Sequence, residues 1–153
     1  MLPAGGVDEL ALRLRELDLQ VAIVDPLQAL AGGSRAQEEE LAAVDDLLAS
    51  VDWEQQPLLA AELLVRRDRL QELTGRAATT VDDAWTAVRL SAEYPESVEY
   101  ALAVAGLAEN EVWGGTPSGS ARADEAVRLA RACGSAEALA HSLTVKVMTR
   151  LFA

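Results

Sequence analysis

TAVRLSAEYP occupies residues 86–95 and EAVRLARACG residues 125–134, so the chain spells Ala-Val-Arg-Leu twice, 39 positions apart. In each copy a small residue is followed at i+4 by Val and at i+7 by another small residue: Ala84, Val88 and Ser91, then Ala123, Val127 and Ala130. Positions so spaced share one face of a helix. Small side chains on that face let a second helix approach closely, and Val fills the space between them. The pattern predicts two equivalent helices, each the second member of a helical pair.

The echo extends outward. Residues 58–92 laid over 97–131 without a gap match Leu63 with Leu102, Val65 with Val104, Glu72 with Glu111, Gly75 with Gly114 and Ala84 with Ala123. Both glycines fall where a helix must stop, and both AVRL stretches fall mid-helix. This is the steric signature of tetratricopeptide-like hairpins, whose usual period is ~34 residues. The longer period here places the extra residues in the turns TTVD and TPSGS. A single hairpin cannot bury its apolar face, so units stack and share a core.

The remaining segments read as helix, turn, helix. VDELALRLRELDL sets Leu10, Leu14 and Leu17 on one stripe. Val21 to Val24 is an apolar run before Asp25-Pro26, the form of a buried strand or of a nucleotidase metal site. No GxxxxGK[ST] phosphate loop precedes it, and a turn leading to a short helix, ended by Gly32-Gly33, fits better. Ser34 is placed to cap a helix over residues 35–51, with Gln37 completing a capping box and Leu41, Val44, Leu47, Leu48 and Val51 inward. Pro57 opens a helix ending at Gly75, with Leu59, Leu63, Leu70 and Leu73 inward. Thr80 caps the next, with Asp82 and Asp83 in its first turn, and Pro95 ends it. Helices over 96–113, 121–133 and 136–152 follow, the last capped by Ser135. The expected fold class is all-α: antiparallel helical hairpins stacked as a tetratricopeptide-like α-solenoid of about seven helices. It forms one domain over 1–153, with N-terminal helices in 1–33 and stacked hairpins in 34–153.

Composition agrees. Half of the 153 residues are hydrophobic and only 4% aromatic, so Ala, Leu and Val must build the core. Ala and Leu favour helix. Trp53, Trp85 and Trp113 are expected to pack between hairpins. The net charge of −12 repels phosphate backbones and anionic lipid, which argues against nucleic-acid binding by this segment. Arg66, Arg67 and Arg69, interleaved with Asp68, read as a solvated face of paired charges. No apolar run approaches the ~20 residues of a membrane span, and MLPAGGVDEL does not read as a signal peptide. A cytoplasmic location is expected.

No catalytic, cofactor or metal residues are assigned. Cys133 and His141 are single in the chain, eight residues apart, and read as structural. The acid pairs Asp45 and Asp46, Asp82 and Asp83, and Glu109 and Glu111 diverge around a helix and do not converge on one substrate. The expectation is a non-enzyme without cofactors.

Two-thirds of the chain carries a resemblance. LLAAELLVRRDRL, AVRLSAEYPESVEYALAVAGLAENEVWGG and ADEAVRLARACGSAEALAHSLTVKVMTRL, within residues 57–151, resemble the helical-repeat region of large ATP-dependent, MalT-like transcriptional regulators of the LuxR type. In that family a P-loop ATPase module precedes the repeats, and a helix-turn-helix that binds DNA follows them. The repeats sense an inducer or partner. This chain spells neither a phosphate loop nor a basic recognition helix, so no nucleotide-binding residue carries over. The resemblance implies a fragment or truncated member: a sensor and protein-interaction module that couples binding to transcription control. Helices over 57–74, 96–113 and 136–152 would line a concave face that takes a protein partner or small inducer. The runner-up is a free-standing tetratricopeptide-like adaptor. Apolar surface on the terminal helices predicts self-association.

Overall fold

The computed structural model describes residues 35–75 and 80–151. The expectations for residues 1–33, the cap at Ser34 and the turn at 76–79 lie outside the described residues. Every regular element among the described residues is an α-helix: α1 (Arg35–Ser50), α2 (Pro57–Leu73), α3 (Thr80–Ser91), α4 (Val98–Trp113), α5 (Gly119–Cys133) and α6 (Ala136–Leu151).

Local chemistry sets these ends. Pro57 opens α2, where its missing N–H costs nothing. The hydroxyl oxygen of Ser97 accepts from the Tyr100 N–H at 3.1 Å and caps α4, so that helix begins at Val98 and not directly after Pro95. Ser135 caps α6 in the same way, accepting from Ala138 at 3.2 Å. α3 starts on Thr80, the residue expected to precede it. α5 starts at Gly119, two residues before the expected ARADE segment. Its bare Cα lets the helix begin against Val112 of α4.

Each helix packs on the next in sequence, and α2 also packs on α4, and α4 on α6. Short connections make consecutive helices antiparallel. α2, α4 and α6 therefore run parallel as one layer, with α3 and α5 behind. One core cluster joins α1, α2 and α3 around Val44, Leu47 and Leu64; a second joins α4, α5 and α6 around Val104, Leu129 and Ala138. Val88 packs against both. Val88 is partly buried and its echo partner Val127 buried, and the small residues beside them, Ala84, Ser91, Ala123 and Ala130, are at most 2% exposed. The small residues of both stretches are thus buried, as their spacing predicts.

The first-type helices slip by one. The left-handed residues that end helices are Gly75 (φ 75°), Gly115 (φ 66°) and Gly134 (φ 72°), while Gly114 is helical at φ −74°. The partner of Gly75 is Gly115, 40 residues on, not Gly114. Burial agrees: Ala61, Leu63, Leu64 and Asp68 are buried, as are Ala101, Ala103, Val104 and Ala108, their partners at that offset. Leu102, matched to Leu63 by the ungapped overlay, is only partly buried. Gly115 and Gly119 are one residue closer than Gly75 and Thr80, which restores the 39-residue register in α5.

Two packing expectations are corrected. α2 is sandwiched between α1, α3 and α4, so its buried surface is wider than one Leu stripe and includes Ala60, Ala61, Leu64 and Asp68. Of the tryptophans, Trp53 packs on the first core cluster, its indole N–H donating to the Leu48 carbonyl at 3.1 Å. Trp85 and Trp113 are 43% and 60% exposed. Trp85 instead carries the guanidinium of Arg122 over its ring at 5.1 Å, tying α3 to α5.

Candidate functional site

The α2–α4–α6 layer carries an open groove of about 200 Å³. Helical spacing presents its lining. Val65, Asp68, Arg69 and Glu72 follow i, i+3, i+4, i+7 on α2; Leu102, Gly106 and Glu109 follow i, i+4, i+7 on α4; Glu137 and His141 follow i, i+4 on α6. Each set is one face of its helix, and the three faces converge. Gly106 lies at the α2–α4 seam, where a Cβ would stand at an ordinary 3.5 Å from Asp68 Oδ2.

Polar contacts cross both seams. The Asn110 side-chain amide donates to both Asp68 oxygens at 3.4 Å. Glu109 Oε2 lies 2.8 Å from His141 Nε2, joining α4 to α6, with both side chains about one-fifth exposed. Burial pushes the Glu72 carboxyl up to about 7; the nearby charges of Glu109 and Asp68 add to the rise, while His141 and Arg69 offset part of it. Burial also opposes ionisation of Glu109. The His141 hydrogen bond and charge outweigh it, helped by Arg69 and a hydrogen bond from Trp113, and hold Glu109 below the usual carboxylate range. The groove therefore holds one carboxyl that keeps its proton towards neutrality and one fixed as the anion.

His141 and Glu109 are not the isolated residues that the sequence suggests. The divergence of neighbouring acids does hold: Asp45 pairs with Arg67 at 3.2 Å, Asp83 with Arg67 at 2.6 Å, and Glu111 with Arg122 at 2.9 Å. Convergence comes instead from acids on different helices, Asp68 and Glu72 against Glu109. A signal for it exists in the sequence. Glu62, Val65 and Glu72 recur as Glu99, Leu102 and Glu109, 37 residues later, and all six line the groove. That register relates faces across the α2–α4 seam, whereas the 39-residue echo relates hairpins.

The arginine cluster is more than a solvated face. Arg66 donates to Glu40 of α1 at 2.6 and 2.8 Å from a side chain 14% exposed, and Arg67 spans α1 and α3 through Asp45 and Asp83. These pairs clamp three helices together.

Among the described residues, none that lines the groove is a serine, threonine, cysteine or lysine. Among the described residues no three potential metal ligands cluster, and no helix is long and apolar enough to cross a membrane. Comparison with protein-family models, curated proteins and solved structures finds no match to this chain.

Proposed function

We propose that the chain is a non-catalytic helical-repeat binding module, the sensor and coupling segment of a LuxR-type transcriptional regulator. Its ligand or partner occupies the groove across α2, α4 and α6. The observation that carries the binding role is this convergence of three helical faces on one groove with a part-apolar, part-ionisable lining. The regulatory setting rests on the resemblance of residues 57–151, and a cytoplasmic location follows from it. A ligand bridging the three helices would change their spacing, and stacked units pass such a change to their neighbours.

Two measurements test the reading. The reading frame that encodes the chain is expected to specify an ATPase module upstream and a helix-turn-helix downstream. Native mass spectrometry of the chain purified from cells is expected to reveal a bound ligand or partner that Leu102→Glu, on the groove surface, eliminates. An intact frame without those neighbours, with a partner still retained, would select the free-standing adaptor. A bare chain in both preparations would overturn the binding module itself.

A further inference from the structure

α6 turns one face to the stack and one to water, and α4 carries the same two faces 39 residues earlier. Ala138, Ser142 and Val145 are the buried residues of α6. Their counterparts on α4 are Glu99, Ala103 and Gly106, and these look back at the preceding helices: Ala103 joins the first core cluster and Gly106 faces Asp68 of α2. Ala140, Leu143, Thr144, Val147 and Leu151 of α6 are exposed. Their counterparts are Ala101, Val104, Ala105, Ala108 and Val112, which share two core clusters with Ala123, Ala126, Leu129 and Ala130 of α5. The water-facing stripe of α6 is therefore the counterpart of the surface on which α4 seats α5. Thr144 does not spoil it, because its hydroxyl donates to the Ala140 carbonyl at 3.0 Å.

The occupied surface also shows what fits the open one. At the α4–α5 contact Arg122 of α5 donates to Glu111 of α4 at 2.9 Å. The α6 counterpart of Glu111 is Arg150, which is exposed. A helix seated on α6 as α5 is seated on α4 meets a cation where α5 meets an anion, so it needs an acid at the position of Arg122. Leu143, Val147 and Leu151 are each bulkier than Val104, Ala108 and Val112, so the facing side chains must be small.

We propose that the exposed stripe of α6 docks one helix of a partner protein, antiparallel to α6, in which an acid is followed directly by a small residue, then by Val at i+4 and a second small residue at i+7 from the first. Residues 1–153 do not supply that helix. α3 has the pattern in Asp83, Ala84, Val88 and Ser91, but Ala84 and Ser91 are buried within the stack. Residues 1–34 do not spell it: Val7, Val21 and Val24 follow Pro3, Leu17 and Gln20 at that spacing. The docking is separate from the groove, to which α6 contributes Glu137 and His141.

The test is fluorescence anisotropy of two labelled peptides titrated with the 153-residue chain. Both span residues 119–134 with Cys133→Ser and carry a hydrocarbon staple between positions 124 and 128, which face water in α5, so that little ordering cost remains. One keeps Arg122 and the other carries Arg122→Glu. The Arg122→Glu peptide is expected to bind about tenfold more tightly than its companion, on the order of one charge-assisted pair. Arg150→Glu in the chain should invert that preference, Val147→Lys should abolish binding of both, and Leu102→Glu in the groove should change neither. Sedimentation with the bound peptide should show a one-to-one complex in place of any self-association. Binding that survives Val147→Lys would overturn the surface. Equal affinity of the two peptides for the native chain and for Arg150→Glu would overturn the acid-led partner. Failure of both peptides to bind would overturn the docking of a partner helix, and a stable dimer in the same samples would give the stripe to a second copy of the chain.

Discussion

Asp83 and Arg122 occupy the same position of successive hairpins, 39 residues apart, and carry opposite charges. Each is paired across its hairpin: Asp83 accepts from Arg67 of α2 through both oxygens at 2.6 Å, and Arg122 donates to Glu111 of α4 at 2.9 Å. Each hairpin keeps a sheltered interhelical ion pair, with opposite charge at the shared position and partners, Arg67 and Glu111, at different positions of the first helix. What recurs is a role, which residue identity does not report.

This relationship yields a double-mutant cycle. Asp83→Arg sets two guanidinium groups against each other and is expected to cost about 1–3 kcal/mol, the range for breaking a charge-assisted pair in a partly buried site. Combining it with Arg67→Glu restores opposite charges and should recover more than half of the loss. Urea denaturation of the four proteins gives the coupling. Additive losses would show that the two side chains do not support each other.

Two glycines in the α4–α5 hairpin predict opposite outcomes. At Gly106 a Cβ meets Asp68 Oδ2 at an ordinary 3.5 Å, so Gly106→Ala should gain about 0.5–1 kcal/mol from reduced chain entropy in the unfolded state. At Gly119 a Cβ would lie 3.0 Å from both the Val112 backbone nitrogen and Cγ2. Backbone has to move, and Gly119→Ala should cost about 1–3 kcal/mol. Thermal unfolding should separate the two variants by several degrees, at about 2–4 °C per kcal/mol for a chain of this size. Equal midpoints would mean that α5 does not rest directly on α4 at this point.

The helices were legible because their determinants are local: Pro57, Gly75, Gly134 and Ser135 mark ends, and the small-Val-small pattern marks the face that packs. The one-residue slip of the first-type helices was not, because Gly114 and Gly115 are adjacent and only backbone conformation tells which one turns left-handed. The groove was hidden for a different reason. Its lining comes from three helices, so the acids that meet, Glu72 and Glu109, are far apart in the chain, while those adjacent in sequence diverge. Trp85 and Trp113 misled because aromatic residues at helix ends can lie on the outer surface of a stack as easily as between its units.

α6 leaves an apolar stripe in water. Leu143, Val147 and Leu151 are 43%, 58% and 72% exposed and follow i, i+4, i+8, while Ala138, Ser142 and Val145 are buried. The 153-residue chain is expected to self-associate through this stripe as concentration rises. Sedimentation velocity should show a rising weight-average mass for the native chain and a constant monomer mass for Val147→Lys combined with Leu151→Lys. A native chain that stays monomeric throughout rules this contact out.

Glu72 sets a pH dependence whose sign is fixed by the direction of its shift. Its carboxyl titrates at about 7 in the folded chain, because of burial and then the charges of Glu109 and Asp68, against 4.5 for an ordinary glutamate. The folded state therefore holds a proton that the unfolded state has released between those two values. Stability from this group is fully present below the lower value and is lost as pH rises towards 7. Glu109 acts in the opposite sense and lower on the scale. Its carboxyl is held below the ordinary range, chiefly by His141 once the opposing burial is overcome, so its contribution is present above that range and is lost on acidification. Of these two carboxyls, that of Glu72 is the one whose contribution changes between pH 5 and pH 7. Urea denaturation across that interval should give an unfolding free energy that declines with pH, and Glu72→Gln should remove that component of the slope and leave the protein more stable than the native chain at pH 8. A native slope that the substitution leaves intact would place the proton uptake on another group and remove Glu72 from the electrostatics of the groove.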